Sequence, residues 1–180
     1  MNQGHRVYRL FVPKQAVGAN LIYFDFFNAA GSASDVHIYS VIPVVSGAVA
    51  VVGTLGVDLF LNRTSAVGTG GTAATVEGTS FTAMTISTHD HTQPLDLSKI
   101  TARLTPTGGA TAGAVLAWSS VFTEETSAPT YNAYWDLARQ HYPDMPPIRV
   151  QEGSGFSVVQ GAVASVGNIG FNVVIGVQLK

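Results

Sequence analysis

The sequence predicts an all-β fold, a β-sandwich of about ten strands in a single domain. Two observations lead to this prediction. Short apolar or alternating segments are separated by clusters of Gly, Pro, Asn and Ser, which is the pattern of strands joined by turns. The length, 180 residues, suits one well-buried domain and is short for two. Residues 1–9 are a candidate extended arm ahead of the sandwich.

Ten segments carry the strand pattern, and one of them predicts a strand in the middle of a sheet. The segments are residues 5–12, 21–27, 36–45, 56–64, 80–87, 100–105, 114–122, 148–151, 156–160 and 170–179. Segment 21–27 is apolar on both faces, as expected where the opposite sheet covers one side and a neighbour covers the other.

The C-terminal third carries two further predictions. Residues 148–150 and 156–160 flank the turn Gly153-Ser154-Gly155, and we expect them to pair as a hairpin. Residues 170–179 form a long strand close to the C-terminus. If that strand lies inside a sheet, truncation of the chain is costly.

One segment has helical spacing. Between residues 130 and 142 the side chains Tyr131, Tyr134, Trp135, Ala138 and Tyr142 recur at intervals of three and four, and Pro143 ends the pattern. A short helix or irregular insertion is expected here. Its aromatic residues either reach toward a neighbouring molecule or plug the protein's own core.

The scarcity of charge indicates a subunit of an assembly. Charged residues make up 11% of the chain, against roughly 25% in soluble domains. Ser, Thr, Asn and Gln take their place, and these side chains enter a subunit contact at a smaller desolvation cost than Lys or Glu. An all-β chain with many Thr-Gly loops is the alternative explanation for the low charge.

Several functional classes receive no support from the sequence. The nine Lys and Arg residues are scattered and the net charge is −2, so nucleic-acid binding is not expected. The chain has no cysteine and therefore no disulfide or thiolate chemistry. The first residues lack the apolar core of a signal peptide. The apolar run 44–61 contains Gly47, Gly53 and Gly56, and this favours strand, turn and strand over a membrane span.

The sharpest local cluster is His89-Asp90-His91. In an extended chain the two histidines point to one face, as two metal ligands must. The sequence offers no identifiable third ligand, and the position before Pro94 is also typical of an ordinary polar loop. We therefore assign no metal or other cofactor and no catalytic residue.

The order of the strand and turn segments resembles the capsid decoration or cement proteins of tailed bacteriophages. The segments that carry the resemblance are residues 40–43, 63–72, 95–103, 107–110, 122–126 and 147–156. The resemblance implies a jelly-roll-like β-sandwich that forms a homotrimer or dimer and clamps neighbouring subunits of the major capsid protein. The implied place is the capsid exterior of a virion assembled in the host cytoplasm, with no enzymatic activity.

Five residues are candidate contacts for such an assembly. Tyr131, Tyr134 and Trp135 are candidate apolar anchors, and Arg6 and Arg9 belong to the candidate N-terminal arm. Two other functions remain open. A tail, baseplate or fibre component would use Trp118 or Trp135 to stack on a host glycan. A cupin-like enzyme would use His89, His91 and a further His or Glu to hold a metal inside the jelly roll.

Overall fold

The computed structural model describes residues 6–46, 55–89, 95–96, 98–108, 112–123, 136–139, 144 and 146–180. The strands are β1 (Arg6–Ala16), β2 (Ile22–Asn28), β3 (Ser34–Ser46), β4 (Leu55–Thr64), β5 (Thr72–Ala73), β6 (Thr75–Val76), β7 (Thr85–Thr88), β8 (Ile100–Leu104), β9 (Ala112–Thr123), β10 (Ile148–Val150), β11 (Ser154–Gln160) and β12 (Asn168–Leu179). These ranges contain no helix, and therefore no helix that is long and apolar enough to cross a membrane. The all-β prediction is confirmed.

Two six-stranded sheets pack together as a sandwich. Sheet A has the order β10-β3-β12-β1-β7-β6, and sheet B has the order β5-β8-β2-β11-β4-β9. Eight of the strands form a frame in which β1 pairs with β12, β2 with β11, β3 with β10 and β4 with β9. The frame is therefore one antiparallel ribbon folded back on itself, with successive pairs in alternate sheets.

Strands β5 to β8 come between β4 and β9 along the chain and extend one edge of each sheet. β7 and β6 follow β1 in sheet A, and β8 and β5 follow β2 in sheet B. The ten predicted strands are all present at least in part, but β5 and β6 were missed because two residues are too few to show an alternating pattern. The predicted strand at 80–87 is shorter than expected, because residues 80–84 are not in a strand and β7 begins at Thr85.

The core between the sheets is built around aromatic rings. Phe171 of sheet A lies 5.2 Å from Tyr23 and 5.6 Å from Phe24, measured between ring centroids. Within sheet B, Phe156 contacts Phe24 at 5.9 Å and Phe26 at 5.2 Å. These five side chains are at most 1% exposed. These ring contacts therefore connect β12 of sheet A to the central strands β2 and β11 of sheet B.

The predicted hairpin at the C-terminal turn is wrong. Gly153 has φ +72°, as a tight turn requires, but β10 pairs with β3 in sheet A while β11 lies between β2 and β4 in sheet B. The turn carries the chain from one sheet to the other. Both β10 and β11 are buried against strands that are distant in the sequence. This burial, and not the short turn between them, determines how they pair.

The predicted helical segment falls largely outside the described residues. Its described part, residues 136–139, forms a turn that docks on β3. The Asp136 Oδ1 atom accepts hydrogen bonds from the Val41 and Ala138 amides, both at 2.9 Å, and the Leu137 amide donates to the Val41 carbonyl at 2.9 Å. Leu137 is 1% exposed, so an aliphatic side chain plugs the core at this point.

The C-terminal strand lies inside sheet A, between β3 and β1, and its aromatic contact is open to a direct test. Phe171→Ala should lower the free energy of unfolding by about 3–5 kcal/mol, because it removes a ring that contacts both sheets and leaves a cavity. The matched control is Val163→Ala, at a side chain that is 71% exposed, which should change stability by less than about 0.5 kcal/mol. Denaturant titration of both variants measures this, and equal effects would contradict the assigned core.

Candidate functional site: the outer face of sheet A

The outward side of sheet A carries two rows of residues across its central strands. Because neighbours directly opposite in a sheet point to one face, the register places Ile42, Asn172 and Phe11 in one row and Ser40, Val174, Arg9 and Ser87 in the next. We call these seven residues the Phe11 patch. Arg9 is the single charged residue among them.

The inward residues of β1 determine which residues form the patch. Tyr8, Leu10 and Val12 are at most 2% exposed and face the core. Successive side chains of a strand point to opposite faces, so Arg9 and Phe11 must point outward. Phe11 remains 37% exposed, a large apolar side chain on a sheet surface.

Two shallow grooves flank Phe11. One, of about 380 Å³, is lined by Arg9, Phe11, Ser87 and Val174 among others. The other, of about 370 Å³, is lined by Phe11, Val44, Lys14 and Phe81 among others. Phe81 is 86% exposed at the rim of this second groove. Each groove thus combines apolar walls with one cationic side chain.

Other charged residues pair with one another near the first residues of β3, away from the Phe11 patch. The Arg149 guanidinium forms an ion pair with Asp35, and its Nε atom donates to Asp35 Oδ2 at 3.1 Å. Lys180 Nζ lies 3.4 Å from Asp35 and 2.9 Å from Glu152. Burial raises the pKa of the Asp35 carboxyl, but the hydrogen bonds from Arg149 and the charge of Lys180 outweigh this and hold the pKa below its usual range. These ion pairs connect the ends of β12, β10 and β3.

The outer face of sheet B differs, because a loop covers its centre. Asp25, Ser157 and Asn62 stand in one row across β2, β11 and β4, and all three are at most 8% exposed. The Gly68 amide of the covering loop donates to Asp25 Oδ2 at 2.7 Å, and Arg103 Nη1 donates to the Gly70 carbonyl at 3.2 Å. A polar row is thus enclosed beneath residues 65–71.

The glycines of this loop are required by close contact with the sheet. A Cβ atom on Gly68 would lie 2.8 Å from Asp25 Oδ2 and 2.9 Å from Pro106 Cβ. On Gly71, whose φ is +61°, it would lie 2.2 Å from the Leu104 carbonyl oxygen. The sequence marks these positions as a glycine-rich loop, and their structural role is this approach to the sheet.

Asp25 is the one acid of this row, and its surroundings perturb its ionisation. Burial raises the pKa of its carboxyl to about 6, against the opposing effects of the Gly68 hydrogen bond and the Arg103 charge. Its Oδ1 atom has no hydrogen-bond partner among the described residues. A carboxylate that is only half satisfied is costly to bury, so the folded protein holds the proton more tightly than the unfolded chain does.

The Asp25 carboxyl predicts a particular dependence of stability on pH. Its pKa is raised above the ordinary value of 3.8, so its contribution to the free energy of unfolding falls as the pH rises from about 4 to about 6 and is constant above. Asp25→Asn keeps an oxygen for the Gly68 amide and cannot ionise. Relative to the wild type, this variant should gain about 2 kcal/mol between pH 4 and pH 7.

Urea titrations of both proteins across this pH range measure the difference, in which the opposite contribution of Asp35 cancels. Val163→Ala, at an exposed side chain with no titratable group, is the control and should show no such gain. A difference curve that is flat for Asp25→Asn would contradict the raised pKa.

The residues that the sequence singled out are divided between described and undescribed parts of the chain. Arg6 and Arg9 lie in β1, paired with Val177 and Val174 of β12, so the candidate arm is reduced to residues 1–5, which lie outside the described residues. Arg9 belongs to the Phe11 patch. Arg6 lies against Tyr8, whose pKa is raised by burial despite that contact.

The candidate anchors Tyr131, Tyr134 and Trp135 lie outside the described residues, and so does His91. His89 is exposed just after β7, where its amide donates to the Val7 carbonyl at 2.9 Å. It therefore does not face the aromatic layer between the sheets. Among the residues the structure describes, no three His, Cys, Asp or Glu side chains form a metal-binding group.

Phe11, Phe81 and Val174 were not predicted as surface residues. For Phe11 a signal was present, because Arg9 must point outward and Phe11 follows it by two residues in the same strand. No comparable signal marks Phe81, because the sequence predicts a strand over residues 80–87.

No protein-family model, no curated protein and no solved structure matches this chain.

Proposed function

We propose that this protein is a non-enzymatic structural subunit of a tailed-phage virion, of the decoration or cement type, whose sandwich is a jelly roll. In this role it associates with copies of itself and binds the major capsid protein on the exterior of the assembled capsid. The observation that carries the proposal is the strand order of the frame, together with the charge-poor Phe11 patch. No nucleic acid, membrane or cofactor takes part.

The strand order supports a jelly roll because of how the ribbon closes. Sheet A contains the order β1-β12-β3-β10, and sheet B contains the order β2-β11-β4-β9. Each strand of the second series is the chain neighbour of the strand at the same place in the first series, so the two orders follow one pattern. Jelly rolls consist of eight such strands in two Greek keys, and they recur in viral capsid proteins, lectins and cupins. The aromatic rings that fill the space between the sheets favour a structural role over a metal site in that space.

The Phe11 patch supports binding to a large apolar partner. Its exposed ring, the adjoining Phe81 side chain and the neutral Ser40, Ser87 and Asn172 present few groups that are costly to dehydrate. Arg9 and Lys14 add one cation to each groove, where an acidic side chain of the capsid protein would pair. This composition is that of an interface core with a polar rim.

Such contacts stabilise a shell by mass action. A subunit that binds the assembled lattice and not the free capsid protein shifts the equilibrium toward the assembled state. Repetition of modest contacts over the lattice then yields a large total stabilisation. This accounts for a small protein whose function requires no reactive side chain.

Capsid binding is tested on shells assembled from the major capsid protein encoded with this chain. Phe81→Glu, at a side chain that is 86% exposed, and Phe11→Glu should each weaken co-sedimentation with shells at least about tenfold, because a carboxylate enters an apolar contact. The matched control is Val163→Glu, at an equally apolar and 71% exposed position on another loop. Its binding should equal that of the wild type.

The same experiment separates this site from the rest of the proposal. Binding by the wild type that survives both phenylalanine variants would move the contact away from the Phe11 patch. No binding to shells by the wild type would contradict the decoration role itself.

A second function is favoured by one observation. Trp118 of β9 is 55% exposed on the outer face of sheet B and stacks on Phe60, with ring centroids 6.4 Å apart. A supported, exposed indole suits stacking on a sugar ring, as in a tail or fibre component that attaches to a host glycan. Loss of binding to host cells in Trp118→Ala but not in Val115→Ala would favour this role over decoration.

A further inference from the structure

The four outer strands of the two sheets differ greatly in length and chemistry. β5 and β6 have two residues each and β10 has three, whereas β9 has twelve. Among the described residues, β9 pairs with β4 alone. An outer strand presents one row of backbone amides and carbonyls away from its sheet, and these groups are a template for pairing with another chain.

Protective features are present on the other edges, whereas on β9 they are limited to the register shifts in its first half. Proteins blunt a sheet edge by keeping it short or by placing charges and prolines on it. β5 and β6 are short, and β10 is short, carries the ion-paired Arg149 and follows Pro147. The sequence of β9, AGAVLAWSSVFT, contains neither a charge nor a proline. Val115 and Trp118 on this strand are more than half exposed.

The regular part of β9 is its second half. Register shifts interrupt the pairing with β4 on both sides of Asn62, opposite the first half of β9. From Ala117 opposite Leu61 to Thr123 opposite Leu55, the register is unbroken. Bulges twist a strand away from a neighbour, so residues 117–123 form the part of the edge that suits a new strand. Ser120 is the middle residue of this segment.

We propose that residues 117–123 pair antiparallel with the same residues of a second copy of this chain, across a two-fold axis near Ser120. The two copies of sheet B then join into one continuous sheet. The inference rests on the self-association in the proposed function and goes further by naming the dimer and its interface.

A second copy of this chain is the partner that fits the chemistry of the β9 edge. Two-fold symmetry brings one segment antiparallel to itself, so a strand needs no other sequence to complete such a pair. With no charge along β9, the two copies do not repel each other, and no charged partner is selected by complementarity. The exposed side chains beside the edge, Val115 and Trp118, add apolar area at the seam.

Opposite charges at the axis test the inference directly. Ser120→Lys places two ammonium groups opposite one another in the dimer, and Ser120→Glu places two carboxylates there. Each variant alone should dissociate more readily than the wild type, because like charges face each other across the seam. The increase should be roughly a hundredfold for Ser120→Glu and smaller for Ser120→Lys, whose ammonium group lies beside the Asp58 carboxylate of its own chain. An equimolar mixture of the two should recover the dimer. Light scattering after size exclusion measures all three samples.

Controls and a second measurement keep the outcome decisive. Val163→Lys and Val163→Glu place the same charges at an exposed loop position outside β9 and the Phe11 patch, and they should leave the dimer intact. Thermal unfolding checks that the Ser120 variants fold, because the Ser120 hydroxyl donates to Asp58 Oδ1 in the wild type. In wild-type protein, hydrogen exchange at residues 117–123 should be slow at concentrations where the dimer forms and fast where it dissociates.

Three results would overturn the inference. An oligomer that resists both Ser120 variants, or that dissociates with Val163→Lys instead, places the interface elsewhere and leaves the proposed function standing. A wild-type monomer whose residues 117–123 exchange slowly means that the chain itself covers this edge. A monomer with fast exchange at these residues contradicts the inference and the self-association together, while the shell-binding experiment still decides the capsid role separately.

Discussion

The pairing of β12 with both β1 and β3 is the constraint on which the rest of the molecule depends. The last strand of the chain lies beside the first, and its twelve residues run the length of sheet A. Before β12 takes this place, β1 and β3 have no strand between them and Phe171 cannot reach the rings of sheet B. Most of the native contacts are therefore formed by residues far apart in the sequence, which is typical of slowly folding β-proteins.

Register in sheet A also decides which chemistry the protein presents to its surroundings. The core requires Tyr8, Leu10 and Val12 on the inner face of β1, and a shift by one residue would exchange the two faces. The outward position of Arg9 and Phe11 follows from this requirement. The Phe11 patch is thus held in place by the packing of the opposite side of the same strands.

Several of the few charges have structural partners within the chain. Asp35, Arg149, Lys180 and Glu152 join the ends of three strands, and Asp25 with Arg103 holds the loop over sheet B. What remains on the outer face of sheet A and along β9 is mainly neutral. A surface of this kind loses little hydration energy when it is covered. The low charge of the sequence and the exposed rings of the structure thus lead to the same expectation of assembly.

The sequence by itself determined where the long strands lie, because alternation and turn residues are local properties that each segment carries alone. It also indicated the charge-poor character of the surface. Only the tertiary structure decided that β10 and β11 belong to different sheets, that Asp25 is buried beneath a loop and that β9 is an outer strand. These features depend on which distant segments meet, and a strand has the same local pattern whichever neighbour it acquires. The burial of Asp25 and the exposure of Phe11 both follow from these tertiary contacts. A side chain that points outward from a strand is buried where another segment lies over it and exposed where none does.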